Sequence, residues 1–320
     1  MSTTSNSLSF NPATVGKVSG TLFENVYRVI HSESHAQDFF EGKLSRHEWI
    51  DFLDRQRQLL VNAKIPSADV DFAKRYPGSI NSFISTTYQD PTFQDWLLLP
   101  EDWQSACQSA EQTIRGSFEH QSAATYIYPE EGYLMLTLAQ AFRAKRAIFL
   151  GSYYGYWAAW AMAALELVGG TAVLLDPNED CCALARHNLK SLYPNVAIEV
   201  VASTGQEYLA NYDGDRYGLF DFVVLDAELP PDYPDENLRG KGLYYALLES
   251  VLPHLADRSL LVCHNILLND QTGSEVLNAV VERNRKELKP FLELVQKNYQ
   301  FFREIPTTEG MGVGLYHRGT

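Results

Sequence analysis

The sequence predicts an α/β fold, a doubly wound and largely parallel sheet preceded by a helical domain. Three observations predict it. Beyond Pro129, short apolar runs alternate with stretches of helical spacing, the pattern of parallel strands covered on both faces. From about Thr14 to about Phe118 the chain instead reads as helices cut by turn signals. Near the end, two strand-like runs flank Pro306-Thr-Thr-Glu-Gly310, which makes them a closing hairpin. The change of pattern falls near residues 119–130, giving a helical domain over 1–125 and an α/β domain over 126–320 of the 320 residues.

The elements follow in chain order. The first nine residues are rich in Ser, Thr and Asn and are expected to fray. Ser45-Arg-His-Glu48 has the S-x-x-E form of a capping box, and Trp49, Phe52, Leu53, Leu59 and Leu60 then mark one helix face. Ile65-Pro66, Tyr76-Pro77-Gly78, Asp90-Pro91 and Leu99-Pro100 break the helical pattern, and a further helix runs from Glu101 to Phe118. The strand candidates are Ala147–Leu150, Ala172–Asp176, Ala197–Val201, Phe220–Asp226 and Ser259–His264. Between them lie helices over Trp157–Val168, Glu179–Leu192, Gln206–Tyr212 and Leu243–Leu255. A helix bent or restarted at Pro290 leads into the hairpin strands Tyr299–Ile305 and Gly312–His317.

Composition narrows the partners. Lys and Arg number 26 against 40 Asp and Glu, a net charge of -14 that repels phosphate backbones and anionic lipid, so no nucleic-acid partner is expected. The most apolar helix, Trp157–Val168, contains Glu166 and is too short to cross a bilayer. No basic-then-apolar leader opens the chain, and Cys107, Cys181, Cys182 and Cys263 lack the spacing of a zinc site or redox motif. The expectation is a cytoplasmic protein with reduced thiols, no membrane partner and a small-molecule substrate. Tyr27, Tyr76, Phe83, Tyr88, Trp96 and Trp103 give the helical segment aromatic surface for a lid over the site, for a homodimer interface or for its own core.

In open α/β sheets ligands bind beyond the carboxyl ends of the strands, at the switch in strand order. The first strand runs into Gly151-Ser-Tyr-Tyr-Gly155, where glycines permit close backbone approach and a helix start offers free N–H groups. The spacing is G-x-x-x-G and lacks the dinucleotide pattern G-x-G-x-x-G. Asp176-Pro177, about 25 residues beyond Gly151, puts a carboxylate where a ribose would be read, with an N-cap role as the plain alternative. Ser203-Thr204-Gly205 stands at an adenine edge or forms a turn. Asp226 and Glu228 follow the fourth strand, and His264-Asn265 the fifth.

This set resembles class I S-adenosylmethionine-dependent methyltransferases, and among them the small O-methyltransferases of catechols and caffeoyl-CoA. The resemblance spans roughly residues 128–318, through Pro129-Glu-Glu-Gly132, Ala144-Lys-Arg-Ala-Ile-Phe-Leu-Gly151, Asp176, Phe220-Asp-Phe-Val-Val-Leu-Asp226-Ala and Gly310-Met-Gly-Val-Gly-Leu-Tyr316. It implies a seven-stranded Rossmann-like sheet with the last strand antiparallel, and S-adenosyl-L-methionine as cofactor. The cofactor contacts expected are Glu131, Gly151, Ser152, Tyr153, Gly155, Tyr156, Asp176, Pro177, Ser203, Thr204 and Asp226, and the catalytic candidates are His264, Asp226 and Tyr154. The tyrosines and Trp157 at the glycine turn would face a sulfonium.

The chain departs from that family where chemistry is done. Phe149 stands where a glutamate is usual, Trp157 where a small hydroxyl residue is usual, and Leu229 where metal-dependent members carry lysine. Their Asp-Asn pair after the fifth strand is His264-Asn265 here. Asp226, His264 and Asn265 remain candidates for a divalent ion, but imidazole in place of a hard carboxylate disfavours Mg²⁺, so no metal is expected. The leading expectation is biosynthetic methyl transfer to an oxygen or nitrogen of a small metabolite, with His264 as base because its ordinary pKa lies near neutrality. The acidic loop Glu228–Glu236 would suit a cationic or amine acceptor. Two alternatives stay open: cyclisation of S-adenosylmethionine to azetidine-2-carboxylate and methylthioadenosine, and a non-catalytic nucleoside-binding protein.

Overall fold

The structure, a computed structural model, describes residues 22–121, 125 and 127–319. The expectation of frayed first residues lies outside them. Seven strands among the described residues form one sheet in the order β3-β2-β1-β4-β5-β7-β6. They are β1 Arg146–Leu150, β2 Thr171–Asp176, β3 Ala197–Ala202, β4 Phe220–Leu225, β5 Leu255–Cys263, β6 Tyr299–Ile305 and β7 Met311–His317. The first five pair in parallel, and β7 inserts antiparallel between β5 and β6. The α/β class and the closing hairpin are as the sequence predicts.

Period-two alternation assigns each central side chain to one of two cores. Ala147, Phe149, Leu174, Phe222, Val224, Leu260 and Val262 join one; Ile148, Leu150, Val173, Leu175, Val223, Leu225, Leu261 and Cys263 join the other. Such strands are apolar throughout because neither face meets water. β5 begins earlier than the apolar run suggests: Leu255 pairs with Phe220, and a register shift precedes the Phe222–Leu260 pair. The exposed Asp257 and Arg258 disguise that stretch.

The helical segment packs into the first of these cores. Ser45 and Glu48 form the expected reciprocal cap, opening the helix Arg46–Asn62. Trp49 stacks on Phe39 at 4.1 Å and donates its indole N–H to the Ala73 carbonyl. Leu59 is 44% exposed, so the apolar face is Trp49, Phe52, Leu53 and Leu60, one residue narrower than the sequence suggests. Tyr76, Tyr88 and Trp103 are buried in the same cluster as Leu134, Leu138 and Trp160 of the α/β half, so their aromatic surface serves an internal core. Among the described residues no helix is long and apolar enough to cross a membrane.

One polar contact fixes the helical segment against the sheet. Arg75, 3% exposed, donates to the carbonyls of Thr307, Thr308 and Asn269 and to the buried carboxylate of Asp270 at 3.0 Å. Its partners lie in the β6–β7 turn and in the segment after β5. A cation so deeply placed is tolerable only because all these acceptors surround it.

Candidate active site

The site begins at the turn leaving β1. Gly151 has φ +87°, and a Cβ there would lie 2.6 Å from Cα of Ala227, just past β4. The glycine therefore answers to chain packing, which lets two strand exits meet. Gly155, at φ +83°, precedes the helix Tyr156–Val168, and a Cβ on it would approach that of Ala185 to 3.1 Å. Between them Tyr153 takes φ +47°, a region costly for a non-glycine residue. Its N–H donates to Asp176 Oδ2 at 2.9 Å, while Asn178 N–H donates to Oδ1 at 2.9 Å. Asp176 is thus not the cap of the following helix. Asn178 fills that role by accepting from Asp180 and Cys181, which leaves Asp176 free lone pairs. Burial raises the Asp176 carboxyl above its ordinary value, and the two N–H groups offset part of that.

Beyond these strand ends lies a cavity of about 450 Å³, within the usual range for small-ligand sites. Its wall holds Gly151, Ser152, Tyr153, Tyr154, Tyr156, Trp157, Asp176, Pro177, Ser203, Thr204, Asp226, His264 and Asn265. Residues as far apart in sequence as Gly151 and Asn265 would not be grouped by any local motif, yet the strand ends gather them. Two of the expected contacts do not line it, Gly155 and Glu131. Thr204 lines it but spends its hydroxyl on a capping box with Glu207. Ser152 Oγ and Asn265 Oδ1 are buried on the wall without a hydrogen-bond partner, and Asn265 also has a positive φ of 54°.

His264 differs most from the sequence expectation. It is 1% exposed; Nδ1 lies 3.2 Å from Asp226 Oδ1 and Nε2 lies 3.0 Å from Glu131 Oε2. Carboxylates only accept, so both ring nitrogens donate and the ring is an imidazolium. Burial alone would lower its pKa; the two carboxylates outweigh burial and raise it to about 10. A ring that donates from both nitrogens has no lone pair to take a further proton, unlike the base expected from histidine's ordinary pKa. Trp157 lies over it with ring centroids 4.7 Å apart.

Glu131 stands behind the histidine rather than on the wall. Its carboxylate accepts from Tyr128 N, His264 Nε2, Thr307 Oγ1 and Glu309 N, so every lone-pair direction is taken. Its neighbours Glu130 and Glu309 have pKa values raised to about 8, first by burial and then by the Glu131 charge. The turn between β6 and β7 thus positions Glu131, Glu131 positions His264, and His264 orients Asp226.

Two functional candidates were not visible in the sequence. Lys241 is 1% exposed on the cavity wall, with Nζ 3.3 Å from the Ala227 carbonyl, 3.4 Å from Tyr244 Oη and 3.5 Å from Glu228 Oε2. Its flanking glycines are the only local hint. His120 Nδ1 lies 2.9 Å from Tyr154 Oη, and burial lowers its pKa, keeping the ring neutral. It comes from the end of the helical segment, where no motif marks it.

The residues do not fit a divalent metal. Both nitrogens of His264 carry protons, so it has no lone pair for an ion at Asp226 and Asn265. Among the described residues no cluster of three or more His, Cys, Asp or Glu side chains is arranged to hold one.

Residues 148–266 match the family model of a methyltransferase domain. No curated protein shows significant sequence similarity to the chain. Among solved structures it is similar to the Podospora anserina methyltransferase PaMTH1 bound to SAH, at 15% identity and TM-score 0.46 over 68% of this chain and 88% of that one. It is similar to an O-methyltransferase from Bacillus cereus in complex with SAH, at 19% identity and TM-score 0.44 over 74% and 99%. TomG of Streptomyces achromogenes, an O-methyltransferase of tomaymycin synthesis in complex with SAM, is 20% identical with TM-score 0.44 over 71% and 95%. Likenesses this distant carry nothing about reaction or substrate.

Proposed function

We propose that this chain, whose residues 148–266 match a methyltransferase domain, binds S-adenosylmethionine in the cavity and methylates an oxygen or nitrogen of a small metabolite. The observation that carries the reading is the cavity at the β1/β4 switch, with the anchored carboxylate of Asp176 at the end of β2. The wall suits that cofactor. Asp176 retains acceptor capacity for ribose hydroxyls, and the Ser203–Gln206 turn supplies backbone for a base edge. When bound, S-adenosylmethionine supplies a methyl group on a cationic sulfur. The faces of Tyr154, Tyr156 and Trp157 suit a cation of that kind.

The chain's own residues then have distinct tasks. His264 holds Asp226 in one orientation through a charge-assisted bond and leaves proton transfer to other groups. Tyr154 is the better proton acceptor because neutral His120 stands behind it. With His120 protonated on Nε2, an acceptor proton passes to the Tyr154 oxygen as the Tyr154 proton passes to Nδ1. Geometry within hydrogen-bond reach is the first requirement for such a relay.

Calorimetric titration with S-adenosylmethionine and S-adenosylhomocysteine tests the binding half of the proposal, and mass spectrometry of the products tests the rest. Saturable binding and S-adenosylhomocysteine formed only with an added acceptor are expected. Methylthioadenosine formed without an acceptor would replace methyl transfer by cyclisation of the cofactor. A flat titration with both nucleosides would remove the proposal.

A further inference from the structure

We infer that the half of the cavity beyond β4 and β5 receives the acceptor as a protonated amine, a reading that rests on the cofactor occupying the half beside Asp176. The argument is one of charges left over. Among the described residues, both cationic side chains on this wall are spent within the protein. His264 donates from both nitrogens to Asp226 and Glu131. Lys241 is enclosed by the Ala227 carbonyl, Tyr244 Oη and Glu228. Among the described residues, a carboxylate or phosphate entering here would find no free cation to meet it.

The anionic side chains are in the opposite condition. Asp226 uses one oxygen on His264, and among the described residues its second oxygen has no partner. Glu228 is 47% exposed, and only its Oε2 meets the buried Lys241, at 3.5 Å. Two carboxylates, Asp226 and Glu228, therefore face one space. An ammonium group, with three N–H donors on a point charge, complements that set, whereas a neutral alcohol offers one donor and no charge. Leu229, Leu238 and Tyr233 complete the wall and suit an apolar body behind the ammonium.

The test uses the full chain saturated with S-adenosylhomocysteine and three probes of one shape: 2-phenylethylamine, 2-phenylethanol and 3-phenylpropionate. Isothermal calorimetry at pH 7.5 is expected to show the amine binding at least tenfold more tightly than either other probe. Glu228→Gln is expected to weaken the amine at least fivefold while leaving S-adenosylhomocysteine affinity within twofold. Binding of the carboxylate or the alcohol as tightly as the amine would overturn the inference, and so would absence of binding by all three. Loss of S-adenosylhomocysteine binding in Glu228→Gln would also overturn it, by assigning that carboxylate to the cofactor. Should the wild-type chain fail to bind S-adenosylhomocysteine, the proposed function falls instead, a separate outcome read in the first titration.

Discussion

Replacing His264 by glutamine removes the charge between Asp226 and Glu131 while nearly keeping shape. In the folded protein the imidazolium has a pKa of about 10 against an ordinary value of 6.5. A group raised on folding stabilises fully below its unfolded pKa, and that contribution is lost as pH climbs through the folded value. Between roughly pH 6.5 and 10 the loss is about 1.4 kcal/mol per pH unit, on the order of 5 kcal/mol in all. Breaking a buried ion pair by removing one partner costs about 3–5 kcal/mol, the same scale by a different route. The expectation for His264→Gln at pH 7 is therefore a loss of about 3–5 kcal/mol in unfolding free energy. Urea titrations followed by tryptophan fluorescence, from pH 6.5 to 10.5, measure it. The gap between wild type and variant should close toward pH 10.5, where the native ring loses its proton too. Glu130, raised to about 8, adds a fall in stability with rising pH to both proteins, whereas the His264 charge lowers the Glu309 pKa, so the Glu309 contribution differs between the two and the comparison is read above pH 8, where both carboxyls are ionised. A gap that stays constant across this range refutes the charged histidine.

Other perturbations test neighbouring parts of the argument. Gly151→Ala should cost about 1–3 kcal/mol through overlap with Ala227 and should weaken S-adenosylhomocysteine binding beyond tenfold, both read in one thermal-shift titration. Thr204→Ala should lower unfolding free energy by about 1 kcal/mol through the lost cap yet change the cofactor Kd less than twofold; a larger change would return the hydroxyl to the ligand. Arg75→Met should cost about 3–5 kcal/mol by stranding Asp270 and the turn carbonyls, measured as a shift in urea midpoint, and an unchanged midpoint would deny the clamp between helices and hairpin.

The sheet was legible because its strands are continuous apolar runs, and such runs report burial without help from distant residues. Asp176 and Asp226 were legible for a related reason: a carboxylate directly after an apolar run stands out. The state of His264 was not, since it depends on Glu131, 133 positions earlier, and on Asp226 together. Lys241 and His120 were missed on the same ground, being chemically ordinary until the fold surrounds them. Thr204 illustrates the converse, a residue rightly located on the wall whose hydroxyl is occupied by a local cap that its neighbour Glu207 already announced. Leu59 fits the apolar spacing of its helix and still meets solvent, because periodicity marks a face without fixing its width.

The position of β7 between β5 and β6 has a consequence for biogenesis. Every residue on the cavity wall precedes position 266, yet β5 has an open flank until the final strand is made. Until then Leu260, Leu261, Val262 and Cys263, each fully enclosed in the finished protein, border an unpaired ladder. Ribosome-stalled or prematurely terminated chains lacking only the last hairpin would thus carry all the ligand-contacting side chains and still expose an adhesive sheet margin. The turn that steadies Glu131 would be missing from them as well, so shortening the chain at that end disables the site from outside it.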